Sequence, residues 1–229
     1  TAQPYFRQKL FQRLLTAGED AAVIEQEAAS LGLSLAADSF VVMLVKLDAY
    51  GTLEKSTDGS NLKTAVCRVA AELLAGQSGG AFELEGDVLA VVCGGEAKEV
   101  LMLRAQEIAH ALCDAAKDTL HTTLTVGIGQ VRDTGLSGIA ASFEEARNVL
   151  EFRHVIGKDK VISVNDLDAL VYEVQNVSQT LSEGELVDKV RMGLVDDAQQ
   201  MLSEIELALR SSRLSLVQVR LMAVDILLT

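Results

Sequence analysis

The segment AFELEGDVLAVVCGG, residues 81–95, contains two short apolar runs separated by Glu85, Gly86 and Asp87. Short runs rich in Val, Phe and Leu favour β-strands, and a glycine between two such runs favours a tight turn. The segment therefore predicts a β-hairpin. A second β-branched run, FVVMLVKLD from Phe40 to Asp48, is too short for a buried helix and predicts a central strand.

Helical patterns lie on both sides of this hairpin. Apolar residues recur at helical spacing from Tyr5 to Leu15, from Leu62 to Leu73 and from Leu101 to Leu112. An acidic segment, residues 19–31, predicts a further helix that ends at Gly32. These stripes predict amphipathic helices that cover a sheet.

The C-terminal half of the sheet domain contains two more predicted strands. LTVGIGQV, residues 124–131, predicts a strand in which Gly127 and Gly129 allow close approach of another backbone. Ser142 and Glu145 have the spacing of a capping box, which predicts the start of the next helix, and KVISV, residues 160–164, predicts a last strand.

The predicted order is β-α-β-β-α-β-α-β, which indicates an α+β fold: a ferredoxin-like core with an added strand, covered by helices. From Asn165 to Thr229 only helical stripes are found, so an all-helical segment is expected to follow the sheet. We therefore predict lead-in helices at residues 1–37, a sheet domain at 38–164 and a helical linker at 165–229.

Composition excludes several classes of protein. The 229 residues carry 33 acidic and 20 basic side chains, a net charge of −13, and no run of basic residues that could bind nucleic acid phosphates. The longest purely apolar stretch, Phe40 to Val45, is far shorter than the roughly 20 residues that span a bilayer, so we expect no membrane contact. With 49% hydrophobic residues the chain should be globular.

The cysteines and the two ends of the chain indicate its setting. Cys67, Cys93 and Cys113 fit neither a disulfide framework nor a C-x-x-C metal site, which predicts buried free thiols and a cytoplasmic location. The chain opens TAQPYF without a methionine or a signal peptide and closes on the uncapped apolar run AVDILLT. We therefore expect an excised fragment of a longer protein.

Candidate catalytic and metal-binding patterns are weak. His110, His121 and His154 lie on three separate predicted elements without nearby cysteines or paired carboxylates, so no metal site is predicted from them. The sequence contains no phosphate-binding loop of the Gly-x-x-x-x-Gly-Lys type and no Gly-x-Ser-x-Gly nucleophile elbow. We expect no metal, no cofactor and no catalytic residue.

The strands FVVMLVKLD, FELEGDVLAVV and LTVGIGQV, with the ending SFEEARNVLEFRHVIGKDKVI, resemble the GGDEF superfamily of diguanylate cyclases. More specifically, they are similar to its degenerate version in bacterial AraC-type transcriptional regulators, including response regulators of two-component systems. RQKLFQRLLTAG and LVDKVRMGLVDDAQQMLSEIELAL resemble the helical segments on either side of that domain. The resemblance covers nearly the whole chain and implies a GGDEF-like βααββαβ sheet core.

The resemblance also implies that the cyclase site is degenerate. Residues Glu85, Gly86, Asp87, Val88 and Leu89 take the place of the Gly-Gly-Asp-Glu-Phe turn, and Val88 cannot bind a metal. By this resemblance, Lys46 and Asp48 occupy the two positions of the Asp-x-Asp pattern in the first strand of active cyclases. An ammonium group therefore replaces one metal-binding carboxylate. Asp48 and Asp87 remain as a weak cation pair in one interpretation, and as a strand-end carboxylate and a turn former in another.

The resulting functional expectation is the non-catalytic, signal-transmitting part of a cytoplasmic AraC-type regulator. It would be coupled to DNA only through an absent helix-turn-helix domain and would receive its signal from an upstream receiver or sensor domain, with a homodimer through the helix Tyr5–Leu15. One alternative is a residual nucleotide-binding or diguanylate-cyclase-like domain. Another is a ligand-sensing or protein-interaction module outside transcription.

Overall fold

The structure is a computed structural model, and it describes residues 3–16, 20–48, 57–169 and 188–211. The chain divides into two compact units, Thr1–Val164 and Asn165–Thr229. In the first unit the helices are α1 (Gln3–Leu14), α2 (Ala21–Ser30), α3 (Thr57–Leu73), α4 (Lys98–Leu120), α5 (Gly138–Glu151) and the short α6 (Arg153–Ile156). Its strands are β1 (Ser39–Leu47), β2 (Gly79–Glu83), β3 (Val88–Gly95), β4 (Leu124–Ile128) and β5 (Val161–Ser163).

The five strands form one sheet in the order β2-β3-β1-β4-β5. All neighbouring pairs are antiparallel except β4 and β5, which are parallel. The predicted α+β fold is therefore confirmed, with the hairpin formed by β2 and β3 and with β1 in the centre. The described residues contain one helix between β1 and β2, where the βααββαβ pattern has two.

Alternate residues of β1 build two separate cores because successive side chains of a strand point to opposite faces of the sheet. Val41, Met43 and Val45 pack on one face, against apolar residues of α3 and α4 such as Val66 and Ala105. On the other face, side chains of β1 pack against apolar residues of the helices. The strand contributes Phe40, Val42 and Leu44, and the helices contribute Leu10, Phe11, Ile24 and Ala146. The helices predicted from apolar spacing thus cover both faces of the sheet.

Two glycines of the β4 segment lie against the backbone of α5. A β-carbon on Gly127 would be 2.6 Å from the Ala146 carbonyl oxygen, and one on Gly129 would be 2.1 Å from that of Ser142. No side chain fits at such distances, so the close backbone approach predicted for these glycines is confirmed. The contact holds α5 directly against the sheet.

The predicted capping box is wrong, because α5 begins at Gly138 and Ser142 lies inside it. Ser142 is fully buried, and its hydroxyl accepts a hydrogen bond of 2.9 Å from the amide of Val42. Glu145 accepts a hydrogen bond of 2.9 Å from the amide of Gln130 and pairs with Arg132. Instead of capping the helix, the two side chains accept hydrogen bonds from backbone amides of the sheet, that of Val42 in the central strand β1 and that of Gln130 just after β4.

Two predicted helical regions are only partly described. The helix expected from Leu62 to Leu73 begins earlier, at Thr57, and residues 49–56 before it lie outside the described part of the chain. In the second unit α7 spans Val195–Ser211. The helical spacing predicted for residues 216–226 falls outside the residues that the structure describes. Among the described residues no helix is long and apolar enough to cross a membrane.

The N-terminal helix is buried along one side only. Leu10, Phe11 and Leu14 are almost fully buried, while Tyr5 and Phe6 near its start are 67% and 47% exposed. The two exposed rings stack edge to face, 5.7 Å apart. A homodimer through this helix stays a prediction.

Candidate functional site

The hairpin turn between β2 and β3 lies beside the end of β1. The turn closes through a hydrogen bond of 3.1 Å from the Leu84 amide to the Val88 carbonyl, and Gly86 adopts the left-handed conformation with φ of +68°. The amide of Leu47 donates to the carbonyl oxygen of Asp87 over 3.0 Å. The last residues of β1 and the turn therefore form one continuous surface.

An ion pair joins the two elements at this surface. The Lys46 Nζ lies 2.9 Å from the Asp87 Oδ1, and the two side chains are 24% and 27% exposed. Lys46 is paired in register with Val88 of β3. The Asp87 carboxylate, which a bound metal ion would need as a ligand, therefore holds the Lys46 ammonium at the turn.

A second ammonium group approaches the same turn from α3. The Lys63 Nζ donates hydrogen bonds to the carbonyl oxygens of Leu84, at 2.6 Å, and of Gly86, at 3.1 Å. Glu85 is exposed at the tip of the turn, and Leu89 is buried in the sheet. The turn thus carries two cationic groups and two acidic side chains.

Asp48 points to a different set of partners. Its side chain, which is 3% exposed, accepts hydrogen bonds from the Thr125 hydroxyl (2.8 Å) and the Asp159 amide (3.1 Å). The Arg153 Nη1 lies 3.5 Å from the Asp48 Oδ1. The carboxylate therefore connects the end of β1 to β4, α6 and the segment before β5, which indicates a structural role.

Asp159 extends this network to α4. Its carboxylate lies 2.9 Å from the Lys117 Nζ, and its backbone has a positive φ of 58°. The hydrogen bond with Asp159 raises the pKa of the Lys117 ammonium. The charges around Asp48 are thus balanced within the protein.

These residues do not fit a magnesium ion. Mg²⁺ binds oxygen ligands at about 2.0–2.1 Å and needs carboxylates that can turn towards it. Asp87 already faces the Lys46 ammonium, Asp48 is surrounded by its own donors, and Val88 has no ligand atom. Within the described ranges no group of three His, Cys, Asp or Glu side chains could hold a metal, and that result includes His110, His121 and His154.

The three cysteines are free thiols in the structure. Burial raises the pKa of the Cys93 thiol to about 12, and that of the Cys67 and Cys113 thiols to about 11. Cys93 and Cys113 are buried, as predicted, whereas Cys67 is only half-buried. With such pKa values the thiols are protonated near neutral pH and have little nucleophilic character.

The sequence profile of the GGDEF-like domain matches residues 16–152, which is more than half of the chain. The chain belongs to the GGDEF-like domain family. The GGDEF-like domain thus extends from just after α1 to the end of α5. It includes Lys46, Asp48 and the turn residues 85–89. No curated protein sequence matches the chain.

Several solved structures of GGDEF domains are similar to this GGDEF-like domain. The GGDEF domain of DgcB from Caulobacter crescentus, in complex with c-di-GMP, is 20% identical, with 68% of this chain and 89% of that chain covered and a TM-score of 0.46. The active GGEEF domain of a diguanylate cyclase from Vibrio cholerae is 11% identical, with coverages of 70% and 93% and a TM-score of 0.44. The GGDEF domain of PA1120 from Pseudomonas aeruginosa is 17% identical, with coverages of 69% and 92% and a TM-score of 0.47.

The expected function, the regulatory part of an AraC-type transcriptional regulator, is wrong. The family match, over residues 16–152, is to a GGDEF-like domain. The AraC interpretation depended on the resemblance of the strands and of the flanking helical segments to that class of regulator, whereas the family match identifies only the GGDEF-like domain. Helical segments with apolar spacing occur in many proteins and do not identify a DNA-binding partner.

Sequence reasoning found Lys46, Asp48 and the turn but missed the partners that determine their roles. Lys63, Thr125, Arg153 and Asp159 come from four other segments, and nothing in their local sequence marks them as neighbours of the site. One signal was available for Thr125: it lies opposite Lys46 once β4 is paired with β1, and Lys46 lies two residues before Asp48 along the chain.

Proposed function

We propose that this GGDEF-like domain is a diguanylate-cyclase-like signalling domain that does not cyclise GTP, because an internal ammonium group stands in place of a metal ion. The ion pair between Lys46 and Asp87, 2.9 Å long, is the observation that carries the proposal. Phosphoryl transfer requires cations to neutralise the charge that develops on the phosphates. The Lys46 ammonium is held by the Asp87 carboxylate, so it cannot move with the phosphates and neutralise that charge as it develops.

The composition of the turn supports the loss of turnover. Val88 follows Asp87 directly, so positions 87 and 88 contribute one carboxylate instead of two adjacent ones, and that carboxylate is paired with Lys46. The exposed Glu85 adds a negative charge at the tip, where it would repel a phosphate group. The domain would thus be degenerate as an enzyme and retain the fold as a signalling module.

The assay is incubation of the chain with GTP and Mg²⁺, followed by mass spectrometry of the nucleotides. We expect no c-di-GMP above the protein-free control. Formation of c-di-GMP by the unaltered chain would overturn the proposal. An active cyclase domain in a parallel reaction verifies that the conditions support turnover.

A second candidate is metal-independent binding of a guanine nucleotide without turnover. Lys46 and Lys63 place two ammonium groups at the same turn, and lysine ammonium groups bind phosphates as point charges. Calorimetric titration with GTP in the presence of EDTA tests this candidate. Saturable heat that is lost in the Lys63→Met variant supports it, and the absence of heat removes it without affecting the first proposal.

A further inference from the structure

Two backbone oxygens of the hairpin turn face one ammonium group. The Lys63 Nζ, on α3, donates hydrogen bonds to the Leu84 carbonyl oxygen over 2.6 Å and to the Gly86 carbonyl oxygen over 3.1 Å. Backbone carbonyl oxygens are among the hard ligands that Mg²⁺, Mn²⁺ and Ca²⁺ accept in proteins. The lysine therefore occupies two oxygens that a metal ion at this turn could otherwise use.

A third oxygen of the turn also faces an ammonium group. The Asp87 Oδ1 lies 2.9 Å from the Lys46 Nζ, which comes from β1. Gly86 and Asp87 are consecutive residues, so the Lys63 Nζ lies within roughly 12 Å of the Asp87 carboxylate. The turn thus presents three hard oxygens to cations, and two lysines from different elements face all three.

The partial burial of Lys63 keeps its charge effective at the turn. The residue is half-buried, and its hydrogen bond to Leu84 is partly buried. Charges that are partly buried are screened less by salt than exposed charges. A divalent cation ~10 Å from such an ammonium group meets a repulsion that lowers its affinity about fivefold at low ionic strength.

We propose that Lys63 is a second internal cation of the turn and excludes a metal ion independently of Lys46. This inference rests on the proposed function, because it concerns the same turn. The lysine acts by holding the carbonyl oxygens of Leu84 and Gly86 and by repelling a divalent ion at Asp87. The Lys46→Asp substitution alone therefore gives a weak metal site, and removal of the Lys63 charge strengthens it.

A purely structural role for Lys63 leads to the opposite expectation. Its two hydrogen bonds join the turn to α3, so their loss would loosen the turn and hold Asp87 less firmly. In that case removal of the lysine would weaken a metal site instead of strengthening it. The direction of the change in metal affinity therefore separates the two roles.

The probe is Mn²⁺ without nucleotide at low ionic strength, measured by the electron paramagnetic resonance signal of the free ion. Mn²⁺ accepts the same oxygen ligands and octahedral geometry as Mg²⁺. The Lys46→Asp variant is compared with the double variant Lys46→Asp/Lys63→Gln, in which an uncharged amide can still donate to the turn. We expect the double variant to bind Mn²⁺ about fivefold more tightly.

Three control substitutions separate the effect of the charge from other changes. In the Lys46→Asp background, Lys63→Arg keeps the charge and should leave the Mn²⁺ affinity within about twofold. Lys98→Gln removes an exposed charge at the start of α4, beyond the far end of β3, and should also leave it within about twofold. Asp87→Asn, added to the double variant, removes the carboxylate ligand and should abolish the gain. Thermal melting verifies that each variant is folded.

The gain in Mn²⁺ affinity decides the proposal. A gain of more than about twofold that needs Asp87, is absent from the Lys63→Arg control and falls with added NaCl supports it. Equal or weaker Mn²⁺ binding by the double variant, a gain of the same size with Lys63→Arg, or no Mn²⁺ binding by either variant overturns it. Formation of c-di-GMP by the unaltered chain overturns the proposed function instead, without changing this comparison of Mn²⁺ affinities.

Discussion

Gly129 lies directly against Ser142: a β-carbon on Gly129 would be 2.1 Å from the Ser142 carbonyl oxygen and 2.7 Å from its hydroxyl. The same serine accepts a hydrogen bond of 2.9 Å from Val42 at the centre of β1. The end of β4, the helix α5 and the central strand thus meet at one point. The contact is made by backbone atoms, which cannot move aside as a flexible side chain can.

Gly129→Ala should therefore lower the free energy of unfolding by about 2 kcal/mol or more, since overpacking against backbone forces the helix away from the sheet. Urea denaturation measures the change. Gly95→Ala is the matched control, because a β-carbon there would meet only the side chain of Leu101, at 3.3 Å. Equal stability of the two variants would contradict the close contact.

Asp48 and Asp87 should differ sharply in their contributions to stability. Asp48→Asn removes the negative charge opposite Arg153, whose side chain is 13% exposed, and should cost about 3 kcal/mol of unfolding free energy. Asp87→Asn breaks a pair that is about one quarter exposed, and should cost less than about 1 kcal/mol. Chemical denaturation of the two variants gives the comparison, and the reverse order would show that Asp48 is not part of the structural network.

The buried thiols predict a loss of stability at alkaline pH. The pKa of Cys93 is raised from 9.0 to about 12, so the folded state holds the thiol proton more tightly than the unfolded state. This contribution is complete below pH 9 and decreases as the pH rises towards the folded value, by roughly 1 kcal/mol per pH unit. Cys67 and Cys113, both raised to about 11, act in the same direction.

Melting temperatures measured between pH 8 and 11 test this dependence. They should fall from about pH 9 upward, and the Cys93→Ala variant should show a shallower decline. The raised pKa of Lys117, caused by its hydrogen bond with Asp159, adds to the decline only above its ordinary value of 10.5. A flat profile up to pH 11 would mean that the thiols are not buried as described.

Much of the fold could be predicted because the signals are local. Short β-branched runs gave β1 and the hairpin, and helical spacing at Leu101 and Ala105 gave α4. The start of α5 could not be obtained in this way. Ser142 and Glu145 match a capping box in sequence, but their oxygens bind the Val42 and Gln130 amides, and that competition appears only when the strands are in place.

The site was predictable in its residues but not in its connections. The substitution pattern at Lys46 and Val88 is visible in the sequence, whereas the ion pair with Asp87 depends on the register of β1 against β3. The separate role of Asp48 depends on Arg153 and Asp159, which are more than a hundred residues away along the chain. Contacts of such sequence separation are set by the tertiary fold.

Lys46→Asp should create a metal dependence that the unaltered chain lacks. The substitution replaces the ammonium group by a carboxylate beside Asp87, which gives two oxygen ligands at the turn. We expect Mg²⁺ to raise the melting temperature of this variant in the presence of GTP. Lys46→Met, which removes the charge without adding a ligand, is the control and should not respond to Mg²⁺.

The central claim, that Lys46 takes the place of a metal ion, is tested most directly by calorimetric titration of the unaltered chain with GTP, with and without Mg²⁺. We expect that Mg²⁺ neither creates nor strengthens binding: the two titrations should both lack saturable heat, or their affinities should agree within about twofold, a difference of less than ~0.5 kcal/mol. Binding that requires Mg²⁺, or that Mg²⁺ strengthens by about tenfold or more, would contradict the claim.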